Sequence, residues 1–323
     1  MSVLLQMSCR FSKGKEIVTD VSSSPVAKQT RLSSQSSKYS NRERFKITFD
    51  SQTHLSIFED ASPIVERVVK FDTLGTTFIP RIFEAKDWAN LFGNFEDPME
   101  KLVKEFFSNA RYIGVELKCW VRGKEFSINP NYIAKVLHIT RPENVDLTPY
   151  DDQTPKVQDI LQVLGLDHEV SSKGTSINTA KFAPELTTLK LIMFSNLYPL
   201  SNTAFINLGR AQFLCDLIIG APIDICAHIF QTIGKTAARS ATRACILFCS
   251  LIMKIIFLEG VNPPSDGKMM NRPRPISMIT LQASKSHSFK TPKSEYISPA
   301  TPYAHGSVTH VHTATIFAIT PKL

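Results

Sequence analysis

The stretch from Leu102 to Ile139, LVKEFFSNARYIGVELKCWVRGKEFSINPNYIAKVLHI, admits few backbone arrangements, because its apolar period changes twice. Leu102, Val103, Phe106, Phe107 and Ala110 recur at helical spacing, with Asp97 placed to cap and Pro98 at the first helical position. From Cys119 to Ile128 the period falls to two. Gly123 marks the reversal, since a two-residue hairpin turn needs φ > 0, so CWVR and KEFSI are expected to pair. Asn129 and Pro130 then open a second helix whose buried stripe is Ile133, Val136 and Leu137. Helix, hairpin and helix in immediate succession require a folded domain. No recognisable catalytic set lies within them.

A chain of 323 residues with 43% hydrophobic content can bury a core of one domain of about 200 residues, with tails to spare. The formal net charge of +8 invites a nucleic-acid reading, and the distribution of charge qualifies it. Before Phe45 eight lysines and arginines face three acids, and after Pro263 seven face two. Between them, 22 basic residues face 24 acidic ones, so the basic excess sits in the tails. A domain that grips phosphates usually carries a basic face, because counterion release supplies much of the affinity. Within the middle, Lys118, Arg122 and Lys124 are the candidate nucleic-acid-binding patch; the competing reading is the solvated face of a hairpin.

Residues 1–44 are rich in Ser, Lys and Arg without sustained periodicity and are expected to be a disordered basic tail. MSVLLQM is too short for a secretory h-region, Glu16 and Asp20 argue against a transit peptide, and no basic run is dense enough for a nuclear signal. The six cysteines form no CxxC pair, and four lie in apolar runs, which indicates a reducing compartment. The expected localisation is nucleus or cytoplasm, not secretion. Phe45, Ile47 and Phe49 alternate as an extended lead-in, and Ser62 and Pro63 are placed to start a helix through PIVERVVKF. A further short helix contains Trp88.

After Ile139 a polar, Pro-rich loop leads to a helix from Thr154 that Gly165 closes. Further helices are expected over Leu186–Leu197, Ala204–Ile219, Pro222–Ile233 and Thr242–Leu258. The last contains ACILFCSLIM, which is too short to cross a bilayer and is interrupted by Lys254, so a buried core helix is expected and no membrane partner. From residue 264 to 323 a Pro/Ser/Thr-rich disordered tail is expected. It holds Thr291, Ser298 and Thr301, each before a proline, and His305, His310 and His312, which lack cysteine or carboxylate partners for a metal. His138 and His228 lie in apolar helical runs and read as satisfied core histidines.

No GxxxxGK[ST], GxSxG, HExxH or GxGxxG motif occurs. Gly234-Lys235-Thr236 lacks the upstream glycine, Ile229 standing there, and follows a helix, so a phosphate loop is rejected. Asp72, Asp87, Asp97, Asp146, Asp151 and Asp152 stand in no context that picks out a metal-binding set.

PIVERVVKFD at 63–72, the helix around Trp88, LVKEFFSNA at 102–110, WVRGKEFSINPNYIAKVLHI at 120–139 and NLYPLSNTAFINLGRAQFLCDLIIGAPIDICAHIFQTI at 196–233 resemble the plant family labelled putative plant transposon protein domain. The likeness spans about 45–263. Cys249 stands after Phe248 where the family has proline, which implies a longer helix there. The resemblance implies a retroelement- or transposon-derived plant protein and carries over no catalytic residues.

The expected architecture is therefore mainly α, a single helical domain over 45–263 with a small central β-hairpin and disordered tails. The expected function is non-enzymatic, a structural or self-associating component of a plant retroelement without cofactor or metal. Two other readings stand beside it. A nucleic-acid-binding module would use the basic tails, and an Mg²⁺-dependent transposase or nuclease would need acids clustered in a pocket.

Overall fold

The structure is a computed structural model and describes residues 44–46, 57–93, 95–166, 175–200, 204–238, 245–263 and 267–288. Among these the chain is mostly helical with small sheets. The helices are α1 (Ile79–Glu84), α2 (Glu100–Asn109), α3 (Pro130–Leu137), α4 (Val157–Leu164), α5 (Pro184–Ile192), α6 (Leu208–Ile219), α7 (Ile225–Ala237), α8 (Cys249–Leu258) and α9 (Met278–Ser288). The strands are β1 (Ser62–Pro63), β2 (Arg111–Ile113), β3 (Glu116–Val121), β4 (Lys124–Ile128), β5 (Ser176–Asn178), β6 (Phe205–Asn207) and β7 (Cys245–Ile246). Buried apolar side chains form one continuous cluster from Phe58 to Leu281. Among the described residues no helix is long and apolar enough to cross a membrane.

The 102–139 unit forms as its periods dictate and gains one strand. β2, β3 and β4 make an antiparallel sheet in that order. Arg122 and Gly123 form the β3–β4 turn with φ of 48° and 80°, the pair of positive values that a type I′ turn requires. Arg122 has a Cβ and resists that region; its N–H is held there by Glu105 Oε1 at 2.8 Å. Leu117, Cys119 and Val121 face inward and alternate with half-buried Glu116, Lys118 and Trp120. The Asn129 side chain accepts from Tyr132 N at 2.8 Å and Pro130 occupies the first turn of α3, as expected. The added strand, β2, is short and joins β3 through Gly114, whose φ is 62°. α2 begins at Glu100 rather than after a cap at Asp97, which pairs with Arg272 at 2.5 Å.

PIVERVVKF is not a helix. Ser62 and Pro63 pair in parallel with Cys245 and Ile246. Beyond them Ile64 N donates to Ile246 O, Arg67 exchanges two backbone bonds with the Asn196 amide, and Lys70 N donates to Ile276 O. Ile64, Val65, Val68 and Val69 suit either conformation by spacing, but β-branched side chains fit extended backbone well, and these distant ladders decide it.

Glu66 reaches from this segment to the start of α8, accepting from Ser250 N and Leu251 N at 2.8–3.1 Å. α8 needs this: its N-cap is Phe248, at φ 54°, which offers no side-chain bond. The helix therefore starts at Cys249 and is not lengthened upstream; residues 241–244 lie outside the described residues.

The packed chain also continues past 263, where a tail was expected. Met269 bridges to Met99 and Ile276 to Val69, and Met270, Ile276 and Leu281 are buried. α9 packs against α5. Prolines and polar residues dominate 262–275, so composition reads as tail, yet the few apolar side chains there fill the seam. The expected tails at 1–43 and 289–323, with Thr291, Ser298, Thr301 and the three histidines, lie outside the described residues, as do Ile47 and Phe49.

Candidate functional site

The patch nominated from sequence makes ion pairs and a backbone contact within the chain, although Arg122 Nε and Nη2 are buried without a hydrogen-bond partner. Lys118 pairs with Glu116 at 3.1 Å on the outer face of β3. Arg122 turns back onto Glu105, its Nε 3.2 Å from a carboxylate that is fully buried and that Arg44 also approaches at 3.4 Å. Burial pushes the Glu105 carboxyl up, against the lowering pull of Arg122 and Arg44. Lys124 Nζ donates to Glu259 O at 3.3 Å. On the same outer face Lys46 pairs with Glu125 at 2.7 Å and lies over the Trp120 ring. These cations are matched by acids or carbonyls rather than gathered into a basic face.

A different place brings polar groups together. The Tyr150–Asp152 turn packs on the first turn of α6, so closely that a Cβ on Gly209 would stand 2.0 Å from Tyr150 O. Glycine is required there by backbone approach. The Tyr150 hydroxyl donates to Asp216 Oδ2 at 2.8 Å, and Gln212 Nε2 donates to Oδ1 at 2.7 Å. Tyr198, following the π turn Met193–Leu197 that extends α5, donates to Asp151, which also accepts from Asn207 Nδ2 at 3.0 Å. Arg210 lies over the Tyr198 ring at 4.7 Å. His228 of α7 is 7% exposed and wedged between Tyr198, Phe213 and Tyr150, at ring distances of 4.4, 4.9 and 5.9 Å.

Two cavities flank this aromatic wall and share Tyr150, His228 and Gln231. One, of about 120 Å³, is lined by Arg210, Lys235, Thr232, Thr236 and Asp151 beside Tyr198. The other, of about 330 Å³, is lined by Asp146, Asp216 and Asp224 with Gln153. The acids of the second are satisfied internally: Asp146 accepts from Thr148 N, and Asp224 caps Ala227 N and takes Arg141 at 2.6 Å.

The charge states follow from burial. His228 is pulled down to about 4 by desolvation and is neutral near pH 7. One ring nitrogen contacts the Leu197 backbone, and Nε2 is buried without a hydrogen-bond partner. The expected satisfied core histidine is thus satisfied at one nitrogen only. His138 departs further, capping α3 at φ 54° on the surface. Burial raises Asp151, and the bonds from Asn207 and Tyr198 with the charges of Arg210 and Lys235 outweigh it, so its carboxyl lies below the usual range. Both tyrosines are held protonated, by burial first and then by their aspartates.

Burial raises the Cys215 thiol and pushes Cys226 to about 12, so these two cysteines are not activated nucleophiles. Among the described residues no three His, Cys, Asp or Glu side chains lie close enough to hold a metal ion. Gly234-Lys235-Thr236 lies inside α7, with the Tyr112 ring packed on Gly234. Residues from 150, 198, 210, 228 and 235 meet here without a shared motif; the local signal was Asn-Leu-Gly-Arg at 207–210, a capping residue followed by a glycine inside a helix start.

A family model described as a putative plant retrotransposon-related domain matches residues 84–262, more than half of the chain. No curated protein and no solved structure matches it. The match includes every segment of the cleft except Ile64 and all of the 102–139 unit, and begins after PIVERVVKFD. The chain belongs to this plant retrotransposon-related domain family.

Proposed function

We propose that this protein is a non-enzymatic component of a plant retroelement that associates with copies of itself. The observation that carries the reading is the edge of the sheet. β2 is bonded to β3 on one side only within its sheet, and Tyr112, Ile113 and Val115 at its tip are 49%, 57% and 83% exposed. Clustered exposed apolar side chains favour cover by another protein surface, and the same patch on two copies can meet about a two-fold axis. Light scattering on the full chain tests it: mass should rise with concentration toward a dimer or higher, and Ile113→Lys should shift it to monomer. A strictly monomeric wild-type chain at high concentration refutes it.

The second reading, nucleic-acid binding through the basic tails, rests on the charge distribution alone. Deleting 1–43 should then weaken binding and flatten its salt dependence. Unchanged affinity removes that reading.

A further inference from the structure

The smaller cavity has a one-sided chemistry that self-association does not use. α7 sends His228, Thr232, Lys235 and Thr236 toward it, positions that share a helix face because they lie four, seven and eight residues beyond His228. α6 contributes Arg210 from its first turn, fixed by Asn207 Oδ1, which accepts from Arg210 N at 2.9 Å. The guanidinium is parked on the Tyr198 ring with its Nε buried, which leaves the terminal Nη pair as the groups a ligand in the cavity can meet. An arginine so oriented presents neighbouring N–H groups in a plane, the geometry that takes two oxygens of one oxyanion. Asp151 is the acid in the same wall, and its carboxylate is occupied by Tyr198 and Asn207. Among the described residues Lys235 pairs with Asp152 at 3.6 Å, a contact in which both side chains are about half exposed, and such pairs exchange at little cost.

We propose that this cavity is a phosphate-group site, with Arg210 as the two-point donor, Lys235 as the second charge and the Thr232 hydroxyl within the same wall. Three terminal oxygens match this donor set better than the two of a carboxylate. Pro149, Pro199, Leu200 and Leu247 form the apolar remainder, which suits a phosphate carried on a larger molecule. The site is independent of the β2 edge, so failure of either proposal leaves the other standing.

Isothermal titration of the full chain with inorganic phosphate at constant ionic strength tests the assignment. Saturable one-to-one binding is expected, at least tenfold weaker in Arg210→Lys, which keeps the charge and loses the fork, and severalfold weaker in Lys235→Met. Lys235 is exposed, so that variant carries the test if the first fails to fold. No saturable heat, or affinity unchanged in the folded variants, overturns the proposal. A parallel titration compares a 5′-phosphorylated with a 5′-hydroxyl oligonucleotide. A preference for the phosphorylated strand that Arg210→Lys abolishes assigns the group to a nucleic-acid end. Equal affinity, with phosphate still bound, assigns it to a small phosphate ester.

Discussion

Glu105 and Glu66 are both buried carboxylates that accept backbone N–H groups, and they sit in regions built in opposite ways. Glu105 belongs to the sheet unit and holds Arg122 N, 17 residues away. Glu66 belongs to the seam and caps α8, 184 residues away. In the sheet unit the paired strands lie close along the chain, so periodicity and turn chemistry specify their register. In the seam, the extended pieces of 62–70, 245–246 and 269–276 pair only with partners far along the chain and take their conformation from one another. The same physical device therefore secures a locally encoded region and a region encoded only by the assembled fold.

Cutting the chain at Pro263 breaks the comparison hardest. It removes the burial of Met270, Ile276 and Leu281, each worth roughly 1.5–3 kcal/mol, a loss comparable with the whole stability of many domains. Denaturant titration should find no cooperative transition, or one at far lower midpoint; an unchanged midpoint would make the seam ornamental. Glu105→Ala comes next. It strands Arg122 and Arg44 beside a cavity, at about 3–5 kcal/mol, and should loosen the turn between β3 and β4 as read by amide exchange. Glu66→Gln keeps one acceptor and should cost about 1.5–3 kcal/mol, with loss of protection at Ser250 and Leu251. Asn129→Ala, a purely local cap, should cost about 1 kcal/mol and disturb only α3.

Acid sharpens the comparison further. Burial raises both Glu66 and Glu105 above the ordinary 4.5, so each holds its proton more readily folded than unfolded. Their contribution therefore improves as pH falls from those raised values toward 4.5. His228 works in the other direction. Its folded value of about 4 lies below 6.5, so its contribution is complete above pH 6.5 and is lost on descent to about 4, roughly 3 kcal/mol in all. In His228→Phe that loss should vanish from denaturant curves taken at pH 7 and pH 4, while the carboxylate contribution persists.

What could be read from the residues follows the same division. Asn129-Pro130, the reversal at Gly123 and the closing Gly165 each specify geometry within four residues and stand where expected, whereas α7 runs through Gly234 to Ala237, past the expected end at Ile233. PIVERVVKF misleads because its branched residues satisfy two periods, and only Ile246, Asn196 and Ile276 choose between them. The charges of Lys118, Arg122 and Lys124 are legible, whereas their partners Glu116, Glu105 and Glu259 are known only from the folded chain. The cleft was hidden for the same reason, since tyrosines at 150 and 198 and a histidine at 228 look like ordinary core material until they converge.

The pairing of Val69 with Ile276 also sets an order of events during synthesis. A ribosome adding about 5–20 residues each second leaves the 62–70 segment waiting roughly 10–40 s for its partner to emerge. During that interval the sheet unit can close and 62–67 can meet Asn196 and Ile246, while Val69 still lacks its partner. A transcript that stops short of codon 276 yields a polypeptide in which the end of that strip, at Val69 and Lys70, stays unpaired, and such a product is a substrate for chaperones and proteases.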